Sequence, residues 1–229
     1  MEIQGKIVSN TKLNIYTQSL IVKPEQVKKI DFEAGQFMLL KLGENLQRAY
    51  SITNPPHQND RLEFVIDTRP GGPGSQFALA AQKDDLVSLS GPFGKFRLRA
   101  TDLPKVFIAN GCGIPPLISM IEHLLHTGKT MPVKLYWGMR YQHELYFAER
   151  FRALKRAHPN FSYTFCITRP AKEEPFCATG RVTNVICLGI EENRKAEFYL
   201  CGKLAMIREM KTILTQHGIP SENVIHEGY

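Results

Sequence analysis

The sequence predicts two domains in series: an N-terminal antiparallel β-barrel over residues 1–101 and a C-terminal α/β domain with a parallel sheet over residues 102–229. Three observations predict this. A chain of 229 residues exceeds the usual single-domain length and suits two domains of roughly 100 to 130 residues. Up to Arg99 the apolar residues come in short segments split by turn formers, whereas beyond Pro104 strand-length and helix-length patterns alternate. Hydrophobic content of 43% and charged content of 22% are those of an ordinary globular chain, which sets aside the disordered and fibrous classes.

In the first half the apolar segments are 5–8, 19–22, 36–42, 62–67 and 86–89. Pro24, Gly35, Gly43, Asn54-Pro55-Pro56 and Gly71-Gly72-Pro73-Gly74 separate them. Short strands at such spacing read as a barrel. Gly91-Pro92-Phe93-Gly94 reads as a turn at its end. In the second half, 106–109 is a compact apolar strand leading into Gly111-Cys112-Gly113. Apolar residues at 117, 118, 121, 124 and 125 then keep helical spacing and stop at Gly128. Strands follow at 133–137, 161–167, 198–200 and 224–226, and helices at 145–158 and 203–217. Strand–helix alternation of this kind predicts a doubly wound parallel sheet. The boundary falls between Arg99 and Pro104.

The longest apolar runs, such as 37–40 and 115–118, are far below the length that spans a bilayer. Residues 1–6 carry no secretory leader, so the expected compartment is the cytoplasm. The five cysteines, at 112, 166, 177, 187 and 201, are odd in number and form no C-x-x-C pair, which argues against a disulfide framework, a zinc site or an iron–sulfur cluster. His123 and His126 are three apart on a helix and read as a solvated face rather than a metal pair. The net charge of +7 is spread among acids with no run of five basic residues, so nucleic acid is not the expected partner. An anionic dinucleotide and an acidic protein partner would use the same charge.

Three segments carry candidate chemistry. In a strand, Arg48 and Tyr50 of Arg48-Ala49-Tyr50-Ser51 project to one side, offering phosphate pairing and a stacking face to a flat aromatic cofactor. Alone, they read more readily as a surface Arg and a half-buried Tyr of a barrel strand. Arg69-Pro70-Gly71-Gly72-Pro73-Gly74-Ser75 leads into a helical pattern. With Ser75 as N-cap, the helix start becomes an anion site; a glycine-rich hairpin is the other reading. Gly111-Cys112-Gly113-Ile114-Pro115-Pro116 follows the first parallel strand, where α/β sheets bind dinucleotide phosphate, although it is not G-x-G-x-x-G.

With Gly91-Pro92-Phe93-Gly94, Tyr136-Trp137-Gly138-x-Arg140 and Cys201-Gly202, these segments resemble the ferredoxin–NADP reductase family in order and spacing across nearly the whole chain. The resemblance implies a flavin-binding barrel and a nucleotide-binding α/β domain. The FAD residues would be Arg48, Ala49, Tyr50, Ser51, Arg69, Gly72, Gly74, Ser75 and Tyr229. The NAD(P)H residues would be Gly111, Cys112, Gly113, Arg140, Thr168, Arg169, Cys201, Gly202 and Met206. Ser51, Cys201 and Glu227 would form the catalytic set, with Tyr229 covering the flavin face as in the plant-type branch. The family usually has Thr at position 112, often Thr-Pro at 115 and 116, and Pro soon after Cys-Gly; this chain has Cys112, Pro115-Pro116 and Lys203-Leu204.

The function this implies is hydride transfer from NAD(P)H to FAD. Electrons would then pass to a separate acceptor, an acidic ferredoxin-like protein or an oxygenase component. Two alternatives stand beside it: an NAD(P)H:flavin oxidoreductase that uses diffusible flavin, and a non-catalytic flavin- or nucleotide-binding subunit of a larger redox complex.

Overall fold

The computed structural model describes residues 1–171 and 176–229. The chain forms two compact units, residues 1–98 with 118–123 and residues 99–117 with 124–229.

The first unit is an antiparallel sheet of six strands: β1 (Glu2–Asn14), β2 (Thr17–Pro24), β3 (Phe37–Gly43), β4 (Leu46–Ser51), β5 (Leu62–Asp67) and β6 (Leu86–Phe93). Their order is β4-β3-β6-β1-β2-β5. The sheet closes on itself just past β4. Ile52 bridges Phe64, the Thr53 N–H donates to the Glu63 carbonyl at 2.8 Å, and the Glu63 N–H donates to Asn54 Oδ1 at 2.7 Å. Closure removes the exposed edges of an open sheet. Alternate residues of each strand, among them Ile3, Ile7, Leu20, Val22, Met38 and Leu40, fill the interior. The 91–94 segment read as a turn differs from expectation: Gly91 to Phe93 complete β6, and Phe37 of β3 pairs Phe93 in register.

One helix, α1 (Pro73–Ala80), follows β5. Its N-cap is Gly72 with Pro73 at the first helical turn, not Ser75 as the sequence suggests. Proline fits the first turn, where a missing N–H costs nothing, so it sets the start three residues earlier. Ser75 lies inside the helix and donates its hydroxyl to the Asp67 carbonyl at 3.3 Å. At the other end, Asn10 Nδ2 donates to the carbonyls of Ala78 and Ala81, each at 2.8 Å.

The second unit is a parallel sheet of β7 (Lys105–Asn110), β8 (Val133–Met139), β9 (Phe161–Ile167), β10 (Cys177–Thr179), β11 (Glu197–Gly202) and β12 (Val224–Gly228), in the order β10-β9-β8-β7-β11-β12. The helices are α2 (Ile114–His126), α3 (Ala148–Ala157), α4 (Val182–Cys187) and α5 (Leu204–Gln216). The chain steps outward from β7 to β10 and then returns to lay β11 against the other side of β7. The sheet therefore reverses winding between β7 and β11, the place where α/β sheets open a ligand crevice. Helix α5 buries Met206, Ile207, Met210 and Leu214, one stripe at helical spacing. Helix α3 begins three residues later than the pattern suggests, because Phe147 before it takes a left-handed φ of 61°.

At the amino ends of β7 and β11 sits a buried ion pair. Lys105 Nζ lies 2.7 Å from Glu197 Oε2, with the two side chains 0% and 1% exposed. Thr101 donates to the other carboxylate oxygen at 3.0 Å, and the Tyr199 hydroxyl donates to Glu197 at 2.8 Å. Burial pushes the Glu197 carboxyl up, but the hydrogen bonds from Lys105 and Tyr199 and the Lys105 charge outweigh it and hold the group below its ordinary value.

Candidate functional site

In the barrel unit, strand alternation places Arg48 and Tyr50 on one side of β4. The start of α1 comes up against both. A Cβ built on Gly74 would fall 1.9 Å from the Tyr50 hydroxyl and 3.8 Å from Arg48 Cγ, while Gly71 and Gly72 face open space. Only glycine lets the helix start approach so closely. The first turn of α1 has no side-chain cap, which leaves its N–H groups directed out of the helix. An exposed Arg, a half-buried phenol ring and uncapped N–H groups thus converge on one open surface. That set fits a group carrying a flat ring and phosphates. Ala49 and Ser51 flank the pair on β4. Arg69 is set aside from it: its guanidinium holds the Asp67 carboxylate at 2.7 Å and lies over the Tyr16 ring at 5.7 Å.

In the α/β unit, the Gly111–Gly113 segment is a single 3-10 turn after β7. It packs on the end of β11 without a side chain between: a Cβ on Gly113 would fall 2.2 Å from the Cys201 carbonyl oxygen. The Trp137 indole N–H donates to the Gly111 carbonyl at 2.9 Å, which fixes the loop from the β8 side. Cys201, 4% exposed, is aligned with Glu227 across the β11–β12 pair. Burial, then the nearby Glu227 and Cys112, push the Cys201 thiol well up, so it stays protonated. A neutral thiol is no nucleophile; it packs and offers a weak donor. Burial also raises the Glu227 carboxyl above its ordinary value.

Tyr229 is 59% exposed, donates its N–H to the Gly202 carbonyl at 3.2 Å and sets its hydroxyl 3.4 Å from the Asn110 carbonyl. Further along the same sheet end, Arg140, Thr168 and Arg169 are exposed. The Thr168 and Arg169 N–H groups bond to the Met139 and Arg140 carbonyls, and the Arg169 guanidinium donates to the Tyr141 hydroxyl at 2.9 Å. Met206 is apart from these, packed in the core beneath α5. All five cysteines are free thiols, and among the described residues no three His, Cys, Asp or Glu gather as a metal site. Among the described residues, no helix is long and apolar enough to cross a membrane.

Two residues at this sheet end were missed in the sequence. Asn110 accepts the Lys203 N–H on its side chain at 2.9 Å, and Tyr141 supports Arg169. A polar residue closing an apolar strand just before Gly-Cys-Gly was the available signal for Asn110.

Comparison with known proteins agrees with the two halves. Residues 4–98 match the oxidoreductase FAD-binding domain family and residues 107–212 the oxidoreductase NAD-binding domain family. The toluate 1,2-dioxygenase electron transfer component of Pseudomonas putida is 30% identical over 228 residues, 99% of this chain and 67% of that protein. The reductase component of propane 2-monooxygenase from Mycolicibacterium goodii is 30% identical over 218 residues, 92% of this chain and 63% of that protein. The chain thus spans less than about two-thirds of the length of some curated relatives it matches. A ferredoxin NADP+ reductase from Neisseria gonorrhoeae, solved with bound FAD and NADP, superposes with a TM-score of 0.84 at 21% identity, covering 99% of this chain and 98% of that one.

Proposed function

Because this chain belongs to the ferredoxin–NADP reductase-like oxidoreductases, with an FAD-binding and an NAD-binding domain, we propose that it passes hydride from NAD(P)H to FAD and then electrons to a separate acceptor. Bound FAD supplies the chemistry of the exchange, a two-electron acceptor that releases electrons singly. The chain supplies grip and orientation. Arg48 and the N–H groups at the start of α1 hold the phosphates, Tyr50 packs on the ring, and Ala49, Ser51, Gly72, Gly74 and Ser75 shape the cradle. The Gly111–Gly113 turn and Gly202 receive the pyridine nucleotide at the switch point, and Arg140, Thr168 and Arg169 meet its far phosphate end.

On the nicotinamide side, Cys201 contributes a neutral thiol and Glu227 a carboxyl that takes a proton more readily than an ordinary glutamate. Ser51 serves the flavin side. Tyr229 lies at the mouth of the nucleotide loop and must yield as the nucleotide enters. The acceptor is an acidic ferredoxin-like protein or an oxygenase component. The net charge of +7 supports it, as do the relatives named as reductase and electron transfer components. The setting we assign is the cytoplasm.

The observation that carries this reading is the meeting of Gly113 with Cys201 where the sheet changes direction. The test is the visible spectrum of the purified protein before and after anaerobic NADH or NADPH. A flavin spectrum bleached by either nucleotide is expected. Failure to hold FAD on reconstitution overturns the reading.

A further inference from the structure

The side chain of Asn110 joins two loops 93 residues apart in sequence: its Oδ1 accepts the Lys203 N–H at 2.9 Å. Lys203 is the N-cap of α5, so its N–H precedes the first turn, where no helical carbonyl can accept it. A Cβ on Gly202 would fall 2.0 Å from that same Oδ1, and Gly202 has a φ of +144°, so glycine is required there on two counts. The main chain of Asn110 completes the arrangement. Its carbonyl faces the Tyr229 hydroxyl at 3.4 Å, and Tyr229 donates its N–H back to Gly202 at 3.2 Å. One residue therefore ties together the carboxyl ends of β7, β11 and β12, the strands that carry the Gly111–Gly113 turn, Cys201 and Glu227.

We infer that Asn110 is a positioning residue for hydride transfer: it clips the Cys201-Gly202 turn to the dinucleotide loop so that both face the nicotinamide in one fixed geometry. The inference rests on the reading that these two loops receive NAD(P)H. Its physical basis is the steep dependence of rate on placement, since a shift of about 1 Å can cost about a hundredfold. Asn110 acts through the backbone of its neighbour, so the partner N–H can be removed without touching Asn110. Lys203 has a φ of −61°, close to the roughly −65° that proline imposes, and among the described residues its N–H serves only this bond.

The test is anaerobic stopped-flow reduction of the FAD-loaded protein over a range of NADPH and NADH concentrations, alongside thermal melting. Asn110→Ala is expected to lower the limiting rate about tenfold, the effect of one net hydrogen bond, with little change in melting temperature. Asn110→Asp keeps the acceptor, and its limiting rate is expected within about threefold of the unsubstituted protein. Lys203→Pro, which removes the donor instead, is expected to give the same loss as Asn110→Ala. The double variant is expected to be no slower than either single variant, because all three lack one bond. An undiminished limiting rate in Asn110→Ala, a lowered melting temperature without a rate loss, or additive losses in the double variant overturns the inference. An unsubstituted protein that holds FAD yet takes hydride from neither nucleotide overturns the underlying reading instead.

Discussion

Gly113 approaches Cys201 so closely that an added methyl group would lie 2.2 Å from the Cys201 carbonyl oxygen and 2.5 Å from its carbonyl carbon. Both atoms are main chain of a central strand and cannot swing aside. Gly113→Ala must therefore push the Gly111–Gly113 turn, proposed to receive the dinucleotide, off β11. Displacement by about 1 Å is enough to slow hydride transfer about a hundredfold, while FAD binding, which belongs to the other unit, is unchanged. Anaerobic reduction kinetics and the flavin content of the purified variant measure the two effects. Reduction at the unsubstituted rate would show that the close approach is dispensable.

On the flavin side the corresponding glycine meets a side chain. A methyl at Gly74 would strike the Tyr50 hydroxyl at 1.9 Å, with the ring carbon behind it at 3.2 Å. The Tyr50 side chain can swing away about its Cα–Cβ bond, so Gly74→Ala is expected to fold normally and bind FAD about tenfold more weakly. Arg48→Ala, which removes a charged hydrogen-bond donor, is expected to weaken FAD about ten- to a hundredfold. Adding Tyr50→Phe to Gly74→Ala relieves the hydroxyl contact and recovers part of the loss. Titration of the apoprotein with FAD, followed by quenching of flavin emission, reads all three; equal affinities across the series would count against this cradle.

Glu227 gives a pH signature. Burial raises its carboxyl above the ordinary value of 4.5, so the folded chain binds this proton more tightly than the unfolded chain. Its contribution to stability is fully present below pH 4.5 and is lost as pH rises through the raised folded value. Glu227→Gln cannot ionise. It should melt above the unsubstituted protein at neutral pH, and the gap should close on acidification. Melting curves followed by circular dichroism at a series of pH values decide this, and a gap independent of pH would contradict it.

The buried pair at the amino ends of β7 and β11 behaves in the opposite sense. Glu197 is held below its ordinary value, so its contribution is present above that ordinary value and is lost as pH falls through the lowered one. Removing one partner strands a charge, and Lys105→Met is expected to cost about 3–5 kcal/mol. Adding Glu197→Gln should restore part of this, since no charge is then left unpaired. Urea unfolding of the single and double variants tests the coupling; strictly additive losses would exclude it.

Most of the fold was legible because its periodicities are long or sharply bounded. The strands Phe161–Ile167 and Leu62–Asp67 were read to the residue, as compact runs of mostly apolar residues beside turn formers. The strand Cys177–Thr179 and the helix Val182–Cys187 went unread, being too short to establish a period. Ser75 competed with Gly72 for the N-cap, and Pro73 decided the outcome by fitting the first turn. For the site, the sequence named the loops but not their fastening. A hydrogen bond from Asn110 to a backbone 93 residues away leaves no trace in spacing, and the burial of Met206 follows from where α5 lies on the sheet.

The bond from the Trp137 indole to the Gly111 carbonyl has an optical consequence. This is the only tryptophan in the chain, and its ring is wholly buried. The protein thus carries one indole, tethered by its own N–H to the Gly111–Gly113 turn. Excited beyond the absorption of the tyrosines, its emission reports on that turn and on the rings of Tyr146, Phe151 and Phe165 packed around it, so a change at the turn can be followed by light without attaching a dye.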